Sequence, residues 1–362
     1  MHRIGIFGSV GYNIGDEAIA VSAAHALLEL DSGLDIYIST LKKDVIEGKY
    51  VGLKEFYLNR SNLSGWKKLF DHIKSLDVIV LGGGTMVQDK LGISPLRGMI
   101  PYMYQITMIA KLLRKPVLTL PIGIDKLNTN MGKRMAKKLL KNIDSLVVRD
   151  ENSSKYANVY SNNVKAYVSA DPAFFLNHAP QKINTEKYVT VSLVNENLDK
   201  KAFMPAIKDT IQWLIDNTEY SIYLVPMDRR EEEELELFRL LLKELDSERI
   251  HIVDPSLNVY DISEILRNSE LLIGMRLHAM ILSLGFTNLI GISRTTKTEN
   301  LLEEFNLPYF DINRGNIGSG ELIALVEKCI TGERTFDSRN VAAKLEYKSE
   351  LYYSSIKRLR AI

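Results

Sequence analysis

Short runs of β-branched and other apolar residues recur along the chain at 3–7, 35–38, 77–81, 117–120, 145–148 and 164–168, with longer amphipathic stretches between them. A parallel strand covered on both faces reads as a continuous apolar run, and its return connection needs a helix, so this alternation predicts a parallel sheet wrapped by helices. Polar residues take over at 177–187, with Pro180 among them, and a second series opens at 188–193 and continues at 222–225, 250–253, 270–273, 288–292 and 309–310. The polar segment is the expected linker between two doubly wound halves. A last helical pattern at 340–360 carries Tyr352, Tyr353, Lys357, Arg358 and Arg360 and is expected to pack back on the first half, its basic end reading as a solvated face rather than a membrane contact. The expected domains are therefore 1–178, 187–335 and a C-terminal helix within 336–362.

Composition changes this picture little but excludes several function classes. With 362 residues, 46% of them hydrophobic, the chain can fill two cores. A net charge of +1 supplies no overall field toward nucleic acid or an anionic membrane, so any anion site is local. The single cysteine, Cys329, excludes an internal disulfide and a cysteine-based metal cluster, and its apolar helical setting predicts a buried thiol. The apolar run at the start is too short for a signal peptide and no stretch approaches a membrane span, which predicts a soluble cytoplasmic protein. Six scattered histidines without a His-x-x-x-His pair predict no transition metal, and no Gly-x-Ser-x-Gly elbow suggests a serine hydrolase.

The candidate chemistry gathers at strand ends. Gly8-Ser9-Val10-Gly11-Tyr12-Asn13-Ile14-Gly15-Asp16-Glu17 follows the first strand and opens a helix; its spacing is not Gly-x-Gly-x-x-Gly and it lacks the Lys-Ser/Thr of a phosphate loop. Asp16 is placed to cap that helix, and Asn13 and Glu17 are candidates for hydrogen bonds to a sugar. Gly82-Gly83-Gly84-Thr85 offers free backbone N–H groups beyond a buried parallel strand. Gly274-Met275-Arg276-Leu277-His278 sets a fixed cation two residues from a group able to move a proton near neutral pH. Arg294-Thr295-Thr296-Lys297-Thr298 adds two cations and three hydroxyls after the next strand. Arg149 closes a strand in the first half, Asp171 is expected to hold a turn, and the run Arg229-Arg230 with Glu231 to Glu234 reads as an exposed helix start without function.

Taken in order, Gly11-Tyr12-Asn13-Ile14-Gly15-Asp16-Glu17-Ala18, Gly82-Gly83-Gly84, Val148-Arg149-Asp150-Glu151-Asn152-Ser153, Ala170-Asp171-Pro172-Ala173-Phe174 and Arg276-Leu277-His278-Ala279 resemble the polysaccharide pyruvyl transferase family over about residues 4–310. The resemblance implies a GT-B-like α/β fold, two Rossmann-like doubly wound parallel-sheet domains facing a cleft, and transfer of pyruvate from phosphoenolpyruvate onto a sugar as a cyclic ketal without a cofactor. It implies His278 as general acid and Arg276 and Lys297, with Arg294 beside them, as the grip on the donor's phosphate and carboxylate. Thr85, Gly83, Gly84 and Arg149 would add to the anion site, Asn13 and Glu17 would orient the sugar, and Asp16 is the candidate base. Two departures bear on the donor pocket: Arg294-Thr295-Thr296-Lys297 stands where many relatives have Tyr-Asp-Pro-Lys, and Pro121-Ile122-Gly123-Ile124-Asp125 where many have a Gly-Gln-Gly-Ile-Gly-Pro-like loop.

The implied partners are phosphoenolpyruvate and a glycan or lipid-linked sugar, with membrane contact only through that acceptor and no nucleic acid. Two other classes stay open: a GT-B-type glycosyltransferase in which Arg276 and Lys297 neutralise a leaving diphosphate, and a non-catalytic glycan- or anion-binding relative.

Overall fold

The computed structural model describes residues 2–89, 92–94, 98–161, 164–177, 187–195, 200–230 and 234–360. It separates into two compact units, one of Met1–Leu176 with Tyr347–Ile362 and one of Asn177–Glu346. Most of the expected linker, 178–186 with Pro180, and Glu231, Glu232 and Glu233 lie outside the described residues.

The first unit runs β1 (Arg3–Val10), α1 (Ile14–Leu30), β2 (Asp35–Thr40), β3 (Leu53–Tyr57), α2 (Leu63–Ser75), β4 (Val78–Leu81), β5 (Thr85–Val87), α3 (Met99–Leu112), β6 (Val117–Thr119), β7 (Gly123–Ile124), α4 (Asn130–Lys141), β8 (Leu146–Val148), α5 (Glu151–Tyr160) and β9 (Ala166–Val168). Its main sheet has the order β3-β2-β1-β4-β6, parallel throughout. Single bridges Leu118–Ser145 and Ile122–Val148 bring β8 alongside β6, and β9 pairs with β8. Strand β3 was not apparent in the apolar pattern because it lies at the sheet edge, where Lys54 and Tyr57 face out. Helix α4 shows the usual division of labour, burying Ala136, Leu139 and Leu140 while Lys133, Lys137, Lys138 and Lys141 stay exposed.

The second unit runs β10 (Tyr188–Ser192), α6 (Met204–Asn217), β11 (Ser221–Leu224), α7 (Glu236–Leu245), β12 (Ile250–Ile252), α8 (Val259–Arg267), β13 (Leu271–Gly274), α9 (Leu277–Ser283), β14 (Asn288–Ser293), α10 (Thr296–Glu304), β15 (Tyr309–Asp311) and α11 (Ser319–Ile330). Its parallel sheet has the order β12-β11-β10-β13-β14-β15. Each unit has its own apolar core, built around Phe7, Ile79 and Ile106 in the first and Val191, Phe238 and Ile273 in the second. Cys329 belongs to the second core, where burial pushes its thiol up to about 11, too high for a nucleophile.

The last helix, α12 (Ser338–Arg360), gives its residues from Tyr347 onward to the first unit. There Tyr352 is fully buried and stacks on Phe175 at 4.8 Å, Ser355 hydrogen-bonds Ser169 at 2.9 Å, and Arg358 lies over the Tyr167 ring. No helix of the described residues is long and apolar enough to cross a membrane.

In both sheets the strand order reverses beside the first strand, between β1 and β4 and between β10 and β13. Connections leave in opposite directions at such a point, which opens a crevice beyond the carboxyl ends of the two strands. The Gly8 motif begins within the last residues of β1, and the Gly82 and Arg276 turns follow β4 and β13.

Candidate functional site

In the second unit, register pairs Ser192 with Gly274 and Gly274 with Gly291, so the turns after β10, β13 and β14 leave the sheet side by side. Arg276 stands at the start of α9 in an extended conformation and His278 is in that helix's first turn, half-buried. The guanidinium is held by Glu234, whose carboxylate is fully buried: one oxygen accepts from Arg276 Nε, and the other from the backbone N–H groups of Met227 at 2.5 Å and Asp228 at 3.3 Å. Burial pushes the Glu234 carboxyl up to about 7, against the opposing pull of Arg276. Glu234 was expected in an exposed helix start without function; in the folded unit it anchors the candidate cation. Its neighbour Asp228 is itself paired with Arg230 at 2.6 Å.

The next turn divides its groups differently from expectation. Thr295 caps α10 and closes a reciprocal capping box with Thr298, so two of the three hydroxyls counted toward a ligand serve the helix instead, while Lys297 sits in the first turn and Arg294 just before it. A cation in the first turn of a helix is opposed by the helix dipole, a cost that a bound anion relieves.

In the first unit, β1 and β4 come so close that a Cβ on Gly8 would stand 2.0 Å from the carbonyl oxygen of Gly82. Gly83 and Gly84 follow with φ of +103° and +71°, which side chains rarely adopt, so the chain turns sharply there; both glycines are buried rather than open to solvent as the sequence leads one to expect. The Asp16 carboxylate lies over this turn, within 2.4 Å of where a Gly84 Cβ would be, and accepts from Ser9 Oγ at 2.6 Å. Asp16 is not the helix cap: Asn13 takes that role, its side chain accepting from Gly15 N at 2.8 Å. Asn13 is therefore committed to the helix end, and Glu17 points inward, fully buried, with the Tyr50 hydroxyl donating to it. That burial takes Glu17 away from the sugar contact expected of it, whereas Asn13 is half-buried and commits only its side-chain oxygen.

Arg149 and Thr85 are joined in a second cluster. The buried Arg149 donates to Thr85 Oγ1 at 3.2 Å and pairs with Asp171 at 3.1 Å and Asp150 at 3.5 Å. Gly123 admits the pair, since a Cβ there would lie 3.0 Å from Thr85 Oγ1 and 3.1 Å from Arg149 Nε. Asp171 also caps the short 3₁₀ turn Pro172–Phe175 through Ala173 N, as a turn-holding residue would. Arg149 thus has two carboxylates in the folded unit and braces strand ends rather than presenting an uncommitted charge. Among the described residues no group of three or more His, Cys, Asp or Glu side chains is arranged to hold a metal.

Known structures with the same architecture cover nearly the whole chain. UDP-GlcNAc 2-epimerase from Methanocaldococcus jannaschii aligns over 100% of this chain and 99% of its own at 15% identity and a TM-score of 0.64. The S. aureus MnaA–UDP structure aligns over 94% and 91% at 14% identity and 0.61, and a UGT transferase from Siraitia grosvenorii in complex with UDP over 99% and 99% at 12% identity and 0.54. The shared fold is the GT-B arrangement of two Rossmann-like α/β domains. At the level of sequence, the family model for polysaccharide pyruvyl transferases matches residues 13–287, a span that includes the Gly8-to-Asp16 turn from Asn13 on, the Gly83-Gly84 turn, Arg149 and the Arg276–His278 turn. With three quarters of its length matched, this chain belongs to the polysaccharide pyruvyl transferase family.

Proposed function

We propose that this chain moves the pyruvyl group of phosphoenolpyruvate onto two hydroxyls of a sugar in a cell-surface glycan or its precursor, forming a cyclic ketal. The observation that carries the reading is the Arg276–Glu234 pair at the switch point of the second unit, with His278 in the next turn. A cation whose Nε is already fixed loses little freedom when it grips an anion, and an imidazole beside it serves as proton donor. His278 protonates the methylene carbon, C2 becomes electrophilic, and the first sugar hydroxyl adds there. Phosphate then leaves as the second hydroxyl closes the ring, so that of the two hydroxyl protons one is balanced by the new methyl and one by the phosphate. Arg276, Lys297 and Arg294 hold the donor's negative charge, and Gly83 and Gly84 offer backbone N–H groups on the sugar side. Asp16, kept over the Gly84 turn by Ser9, is the base for the sugar hydroxyl.

The UDP named with two structures of this fold supports one alternative, glycosyl transfer from a sugar nucleotide with the same cations facing a diphosphate. Turnover in deuterium oxide separates the two. Ketal formation places one deuterium in the product methyl and His278→Ala stops it; consumption of a sugar nucleotide, with phosphoenolpyruvate untouched, would establish the alternative.

A further inference from the structure

Arg60 lies three residues beyond β3, and register aligns Val10, Thr40 and Tyr57 across the carboxyl ends of β1, β2 and β3 just before it. Its guanidinium sits over the Tyr102 ring, 4.4 Å from the centroid, and Nη1 donates to the Gln105 side-chain oxygen at 2.9 Å. Tyr102 is buried, and its hydroxyl is 3.5 Å from Ser39 Oγ, which accepts from the Gly8 backbone N–H at 3.3 Å. Three contacts in series therefore tie Arg60 to the glycine approach beneath Asp16.

Both partners of Arg60 are neutral. Among the described residues no carboxylate pairs with it, whereas Arg149 in the same unit has two. Burial holds the Arg60 pKa below its ordinary value, as expected for a cation taken out of water without a counter-charge. A half-desolvated charge left uncompensated is costly, and at the carboxyl end of a parallel sheet it marks a place for an anion. The guanidinium fork suits planar oxyanions, and stacking on an aromatic face fixes its plane. Tyr12, after β1, and Tyr57, ending β3, are left exposed on the same rim, where ring faces can pack against the apolar face of a sugar.

We propose that Arg60 binds an oxyanion, a phosphate or a carboxylate, borne by the sugar acceptor. The assignment rests on reading the first unit as the sugar side. Ligand-observed NMR titration of the full chain carrying Arg276→Met, which removes the second unit's fixed cation, tests it with glucose 1-phosphate, glucuronate, glucose and inorganic phosphate. Either charged sugar is expected to bind more tightly than glucose and than inorganic phosphate, and the one that does identifies the oxyanion. Adding Arg60→Gln should weaken that binding about tenfold or more, the worth of a charge-assisted hydrogen bond, and Arg60→Lys should restore part of it. Affinity unchanged within twofold in Arg60→Gln, or glucose bound as tightly as the charged sugars, overturns the Arg60 assignment alone. Binding of no sugar at all overturns the reading of the first unit as well. The comparison among ligands with Arg60 present stands even where the Arg60 variants fold poorly.

Discussion

Replacing Arg276 with methionine keeps much of the apolar stem and removes the cation from the fully buried Glu234 carboxylate. In the native protein burial raises the Glu234 carboxyl to about 7 while Arg276 pulls it down, so losing Arg276 raises it further. Below the unfolded carboxylate range, and through pH 6, the carboxyl is mostly protonated in both proteins, and the variant loses little beyond one hydrogen bond, about 1 kcal/mol. Above pH 7 the native carboxylate ionises next to Arg276, whereas the variant must keep its proton against the rising pH. The stability gap then widens by up to about 1.4 kcal/mol per pH unit, the value of one proton, until the variant's carboxyl ionises in its turn, and reaches at most roughly 3–4 kcal/mol at pH 9. For a unit of this size that corresponds to a fall in melting temperature growing from a few degrees at pH 6 to roughly 10 °C at pH 9. The other charges near Glu234, Asp228 and its partner Arg230, are common to both proteins and cancel. Scanning calorimetry of the two proteins from pH 5.5 to 9 reads the gap directly. A gap that stays constant with pH would refute the claim that Arg276 is what keeps a buried Glu234 carboxylate ionisable.

His278→Ala should lower turnover by roughly 100-fold or more with little change in melting temperature, because a general acid contributes to rate and a half-buried imidazole contributes little to packing; comparing turnover with calorimetry checks both. Asp16→Asn should fold normally, since Asn13 and not Asp16 caps α1, and should lose turnover; full activity in the folded variant removes Asp16 as the base. Gly8→Ala should cost about 3 kcal/mol in chemical denaturation, because the added Cβ meets the Gly82 carbonyl, backbone against backbone, and neither can move without breaking the β1–β4 pairing.

The doubly wound fold was legible because parallel strands buried on both faces must be apolar, and runs such as 77–81 and 270–273 are. Edge strand β3 carries no clear apolar run because solvent on one side lets Lys54 and Tyr57 into the pattern. The Gly8, Gly82 and Arg276 turns announced themselves through residues that strand ends need for sharp turns and ligand chemistry. Their partners did not. Glu234 lies 42 positions from Arg276 within a run of glutamates that reads as a solvated helix start, and only tertiary packing singles it out for burial. Asn13 and Asp16 are equally good capping residues by type, and Glu17 looked available because Tyr50, 33 positions away, carries no local signal of the bond it donates. Arg60 is likewise one arginine among many until Tyr102 and Gln105 are seen beneath it.

The proposed function has the second unit's Arg276 turn grip phosphoenolpyruvate. It is tested most directly by thermal unfolding of the full chain with and without millimolar phosphoenolpyruvate, with inorganic phosphate and a uridine diphosphate sugar as controls. A ligand present at 100 times its dissociation constant adds about 2.7 kcal/mol to the stability of the folded state. The expected result is a rise with phosphoenolpyruvate that exceeds the rise with phosphate and disappears in Arg276→Met; a rise with the sugar nucleotide alone, or one that survives the loss of Arg276, would contradict the proposed function.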